Sequence, residues 1–272
     1  MGAHFTPSHM NKYDVVIHMD EPRFWVALVA TVVSGLALVR HFGKLEGDAK
    51  ERALRQMGWA ILVMQVGYQL YMIFSPSFTY SIHRSLPLHM CGINIWLVAL
   101  NCFWKNRWVN LFTMYMGTVG GLHAILTPQL TVGDAMPVLV HYYINHGALL
   151  FVPIVMNQTY GLRPFKWGWV KVYGLVAVSS TLMAGINWSI NKAFPSEVVA
   201  NYMYMTEAPK VDNPFVFNEL PWPWYVLPLH AAAVLHLILI NVLYRLTLPV
   251  RRDGVTPCTR EVPAKERMPV WL

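Results

Sequence analysis

Seven stretches of roughly 20 apolar residues follow one another along the chain, and few folds accept that pattern. They lie near residues 24–42, 57–75, 86–104, 108–126, 137–157, 168–190 and 223–246. Each is long enough to cross a bilayer as a helix, and an open sheet in lipid would leave backbone groups unpaired. Only 13% of the 272 residues are charged, against about 25% in a soluble domain. The expected fold class is all-α: a polytopic membrane protein, a seven-transmembrane-helix bundle occupying residues 1–246 as one domain. A basic tail over 247–272 follows it.

The first 22 residues include Lys12, Asp14, Asp20 and Glu21 and lack an apolar core of the signal-peptide type, so the first helix is expected to do the targeting. Lysine and arginine set the orientation. One side collects 16 of them, among them Lys44, Lys50, Arg52, Arg55, Lys105, Arg107, Lys171 and the tail, while the other has five. The positive-inside rule then puts the N-terminus outside and the C-terminus in the cytoplasm. The formal charge of +7 needs no nucleic-acid partner, because its excess lies where anionic lipid headgroups would meet it.

The longest connection, from about Asn191 to Trp222, faces outside and is rich in aromatics and prolines. Long structured loops are more often functional than not, so an ordered cap over the outer face is expected. No strong internal repeat is visible, which does not encourage an inverted-repeat transporter.

Polar residues within the expected spans gather toward that outer side. His89, His123, His141, His146, His230 and His236 all fall in spans, and no Asp or Glu does. The missing carboxylate counts against an ion-coupled carrier. From a rise of 1.5 Å per residue, Cys91 lies about 8 Å below the outer end of its helix and His146 about 14 Å below that of its own. With Asn187 near the outer end of helix six, these residues outline a pocket open to the outer leaflet.

A thiol becomes a strong nucleophile as thiolate, usually beside a base such as histidine. His89 is two positions from Cys91, nearly on the opposite side of the helix, and is a poor intrahelical partner. His146, from another helix and within about a turn of the same depth, is the better one. Asn94 lies one turn below Cys91 on a similar face. The competing reading of Cys91 is a small buried packing residue, as most free cysteines are.

Cys102 and Cys258 fall on the other side of the membrane, so neither is expected to pair with Cys91 in a disulfide. No CxxC or CxxCH occurs, which disfavours redox dithiols and c-type haem. The histidine spacings of five (His141, His146) and six (His230, His236) do not suit a single-helix metal site. For His230 and His236 the expected role is hydrogen bonding between helices. Helix seven has no lysine for a retinal Schiff base. No metal or cofactor is expected.

Five strings carry a resemblance. They are Leu86-Pro87-Leu88-His89-Met90-Cys91, His123 through Pro128, His141 through Gly147, Asn187 followed by Asn201-Tyr202-Met203-Tyr204, and Pro221 through Tyr225. In this order the set resembles the YwaF-like seven-helix bacterial membrane proteins, which are related to the transmembrane protein 164 acyltransferases. The resemblance implies an enzyme that moves fatty acyl groups between phospholipids, with the cysteine role on Cys91 and the histidine role on His146. His89, Asn94, His123, His141, Asn187, Asn201 and Tyr202 are the accompanying binding candidates. A bacterial cytoplasmic (inner) membrane and membrane phospholipids as partners follow from the same reading. The alternative is a non-catalytic accessory subunit of a larger membrane complex, binding lipid, pigment or haem beside other membrane-protein subunits. A Soret or pigment band in the purified protein would favour that alternative, and co-purified lysolipid the enzyme.

Overall fold

The structure is a computed structural model, and it describes residues 15–247 apart from residue 77, 163–166, 209–216 and 218. Seven α-helices carry the fold: α1 (Pro22–Lys44), α2 (Gly47–Phe74), α3 (Met90–Trp104), α4 (Arg107–Leu126), α5 (Met136–Tyr160), α6 (Gly168–Ala193) and α7 (Val226–Thr247). Six of them are long and apolar enough to cross a membrane, and α3, at 15 residues, is shorter. The tail expected over 247–272 lies outside the described residues beyond Thr247, where α7 ends.

Two helices depart from the apolar runs. Span two was expected to start at 57, but α2 starts at Gly47, because its charged first turns are helical too and Glu51 receives Lys105 at 2.8 Å. Span three was expected from 86, whereas α3 starts at Met90. Pro87 disfavours helical geometry in the residue before it. The chain instead folds back, with the Leu88 amide donating to the Leu86 carbonyl at 2.8 Å. A short antiparallel pair, β1 (Val15–Val16) with β2 (Gln129–Leu130), joins the start of the described chain to the α4–α5 connection.

Helix boundaries follow local chemistry. Asn106 caps α4, its Oδ1 accepting from the amides of Trp108 and Val109 at 2.8 and 3.1 Å, which satisfies donors a helix start leaves open. Lys105 and Gly161 end α3 and α5 in left-handed conformations, with φ of 51° and 65°.

α4 sits at the centre. Its residues from Leu111 to Gly117 are all buried, and it packs against α3, α5, α6 and α7. α1 lies against α5, where the Phe151 ring fills the space beside Gly35, and α2 lies against α3. Core side chains form an α1–α2–α3–α5 group around Leu54, Ile95 and Leu149, an α4–α6–α7 group around Leu111, Tyr115 and Leu237, and two smaller groups around Phe24 and Tyr143 and around Met183 and Tyr202. Val26, Val33, Val63, Leu182 and Leu239 are exposed on the outside of the bundle, as lipid-facing residues are.

Side-chain bonds pin each end. At the basic end, Lys105 holds α2 through Glu51, and Asn110 donates to the Leu162 carbonyl at 3.0 Å. At the other end, Arg23 pairs with Asp134 at 2.7 Å, and His83 Nε2 donates to the Phe194 carbonyl at 2.7 Å. Cys91, in the first turn of α3, therefore lies at the end opposite the basic loops.

Candidate functional site

The site is built on three glycines of α4. Gly117, Gly120 and Gly121 share one side of the helix at i, i+3 and i+4, and small residues there let neighbours approach closely. A Cβ on Gly120 would stand 2.7 Å from Cys91 Sγ, and one on Gly121 would stand 3.0 Å from the His146 carbonyl oxygen. A Cβ on Gly117 would stand 3.3 Å from Asn94 Nδ2 and would run into the Leu149 carbonyl. The first turn of α3 and the middle of α5 thus lie against one bare strip of α4.

Cys91 is half-buried there and carries a free thiol. Across the strip, His146 is 8% exposed, and its Nδ1 lies 2.7 Å from the Tyr142 carbonyl one turn earlier. A carbonyl only accepts, so Nδ1 carries the proton, and in the neutral ring Nε2 keeps its lone pair. The Tyr142 ring packs 4.3 Å from the imidazole, and its hydroxyl donates to the Ala124 carbonyl at 2.9 Å. Cys91 and Tyr204 both lie within electrostatic reach of that hydroxyl. No hydrogen bond joins Cys91 to His146; what they share is the Gly120–Gly121 step.

The other expected site residues divide into separate groups. His89, the residue before α3, faces the loop, with its ring 5.3 Å from Tyr202 and 5.6 Å from Tyr204. Asn94 is fully buried, its Nδ2 reaching the Thr113 carbonyl at 3.4 Å and its Oδ1 without a partner. His141 stacks on Tyr68 of α2, centroids 3.5 Å apart, within electrostatic reach of His146. His123 meets His236 of α7, Nε2 to Nε2, at 3.1 Å. His236 Nδ1 donates to the Ala232 carbonyl, so neutral His236 accepts at Nε2 and His123 donates. His230 bonds Tyr173 of α6 at 3.3 Å, an interhelical role like that of His236. Among the described residues, no three His, Cys, Asp or Glu side chains converge as metal ligands would.

Asn187, Asn201 and Tyr202 build the loop after α6. Asn187 grips the backbone of Tyr202 through both ends of its amide. Asn201 Oδ1 accepts from the amides of Thr206 and Glu207. The Tyr202 hydroxyl donates to the Ile82 carbonyl at 2.8 Å and accepts from the Leu86 amide at 3.1 Å, tying the loop to the segment before α3. Burial pushes the Tyr202 phenol pKa upward, which keeps that donor protonated. Met203 and Tyr204 hold φ values of 55° and 57°, a region costly for side chains of this size. These bonds hold the described part of the loop against α6 and the segment before α3.

The sequence profile of the TMEM164 family matches residues 5–243. The chain belongs to the TMEM164 family. No curated protein and no solved structure matches it. This TMEM164 family member is an all-helical membrane protein, and the match spans all seven helices but the last residues of α7. Residue-by-residue reading missed Tyr142 and the three glycines. Tyr142 acts on His146 through its backbone, which leaves no side-chain signal. The string Gly117-Thr118-Val119-Gly120-Gly121 does carry one, since three glycines on one side of an apolar helix mark close packing.

Proposed function

We propose that this protein is an acyltransferase acting on phospholipid acyl chains through Cys91 and His146, with its loop-rich end at the outer leaflet of a bacterial cytoplasmic membrane. The observation that carries the reading is the Nδ1–H bond of His146 to the Tyr142 carbonyl, which leaves Nε2 as a base on a residue whose backbone meets the same glycine strip as the half-buried Cys91 thiol. In the first step His146 takes the thiol proton and Cys91 attacks an ester carbonyl. The tetrahedral intermediate collapses to a thioester, and the imidazolium returns the proton to the departing lysolipid alkoxide. In the second step His146 takes the proton of an acceptor hydroxyl, whose oxygen attacks the thioester, and the proton then returns to the Cys91 sulfur. Asn94 is a candidate to steady the developing oxyanion. His89, His123, His141, Asn187, Asn201 and Tyr202 would shape the surrounding walls and loop.

The test uses the full chain in nanodiscs containing a phospholipid with a labelled acyl chain. Acyl label released by neutral hydroxylamine should appear on the wild type and on Cys102→Ala and Cys258→Ala, and be lost from Cys91→Ala. Undiminished label on folded Cys91→Ala would rule the reading out.

A further inference from the structure

The interior of the α3–α4–α5 seam contains more hydrogen-bond acceptors than the protein satisfies. Pro153 lies inside α5 and has no N–H, so the Leu149 carbonyl loses the donor a helix would supply four residues on. That carbonyl lies against Gly117, where a Cβ would collide with it, and Asn94 Nδ2 lies 3.3 Å from the same point. Asn94 is 0% exposed, and its Oδ1 has no partner. Closer to the basic end, Asn157 Oδ1 and Asn110 Oδ1 are acceptors in the same condition, and Asn101 Nδ2 is an unpartnered donor. Their other amide ends are engaged: Asn157 with Met114 Sδ, Asn110 with the Leu162 carbonyl and Asn101 with the Asn106 amide.

Buried polar atoms left unbonded cost on the order of 1–3 kcal/mol each, so an array of them implies an occupant. An occupant for acceptor oxygens is either a hydrogen-bond donor or a cation. No carboxylate stands among these residues, and an uncompensated cation inside a membrane bundle is strongly disfavoured. Water donates twice, accepts at Asn101, and suits a polar interior site.

We propose that the α3–α4–α5 seam binds a file of buried waters, its uppermost member bridging Asn94 Oδ1 and the Leu149 carbonyl one turn below Cys91. This water fixes the free end of the Asn94 amide and makes the floor beneath the thiol polar. The assignment stands whether or not the thiol transfers acyl groups.

Crystals of the full chain grown from lipid, diffracting well enough to resolve solvent, should show an oxygen about 3 Å from Asn94 Oδ1 and from the Leu149 carbonyl. A thermal double-mutant cycle tests the same bridge in solution. Asn94→Leu should lower Tm by about 4 °C in the wild type and by much less in Pro153→Ala, where the backbone N–H gained at that position occupies the carbonyl. Pro153→Ala only restores a helical bond, so it provides a folded background even if Asn94→Leu alone is too weak to purify. An empty seam in the map, additive Tm changes, or a Tm that follows sodium against choline at equal ionic strength would each overturn the assignment.

Discussion

The side-chain amide of Asn187 holds both backbone groups of Tyr202, donating to its carbonyl at 2.9 Å and accepting from its amide at 3.1 Å. Both residues are 0% exposed, so α6 and the loop are joined by a bidentate bond that water does not reach. Replacing Asn187 with alanine strands two buried backbone groups and should cost about 2–4 kcal/mol. Thermal unfolding in nanodiscs reads that loss, and limited proteolysis should show new cleavage between 194 and 208. Wild-type resistance in that stretch would show that the clamp is dispensable.

His146→Gln keeps a polar side chain of similar reach but removes the base. If His146 activates the thiol, acyl transfer from labelled phospholipid should fall by about 10²–10⁴-fold. Tm should change little, because the single bond lost, to the Tyr142 carbonyl, can be made by the glutamine amide. A transfer rate within a few-fold of wild type would remove His146 from the mechanism.

Two glycines of one strip should respond differently to alanine. At Gly117 the new methyl group meets the Leu149 backbone, which cannot turn aside, so destabilisation of about 1–3 kcal/mol or more is expected. At Gly120 it meets only the Cys91 sulfur, which can rotate. Gly120→Ala should therefore fold yet alkylate more slowly at Cys91 with N-ethylmaleimide. Equal Tm values for the two variants would contradict the close contact at Gly117.

The Glu21 carboxyl is held below its ordinary value of 4.5, first by the His18 amide and then by Arg23. A lowered folded pKa means the contribution is full above 4.5 and fades as pH falls through the folded value. Hydrogen exchange of the His18 amide should thus show excess opening below pH 4.5, and Glu21→Gln should abolish that pH dependence. An acid response unchanged in the variant would assign it to another group.

The reach of sequence reasoning follows from what each residue answers to. α1, α4, α5, α6 and α7 obey the bilayer, so their apolar runs mark them to within a few residues. The start of α2 obeys Glu51 and Lys105, an ion pair outside the apolar run, and hydropathy is silent about it. The start of α3 is legible in Pro87 only if proline is allowed to outweigh apolarity. Two-residue strands such as Val15–Val16 carry no pattern of their own. In the site, Cys91 and His146 stand out as chemistry, whereas His89, expected on the same helix as Cys91, stands before α3 in extended backbone and turns to Tyr202 and Tyr204. The glycine strip that brings α3 and α5 to one place is a matter of packing, and Tyr142 contributes a carbonyl that every residue possesses.

The shortness of α3 has a directional consequence. Fifteen residues span about 22 Å, some 8 Å less than a hydrocarbon core of about 30 Å. Lys105 holds the basic end of α3 level with α2, so the whole deficit falls at the end that carries Cys91. Non-helical chain around Ser81, His83, Leu86 and Tyr202 stands at that end of α3, with hydrogen bonds among its own polar groups and to Phe194. Raising the loop would present those groups to hydrocarbon, a steep penalty. On the proposed function, a phospholipid would therefore reach the thiol sideways between helices, in the plane of the membrane, rather than through the bonded loop segments above it.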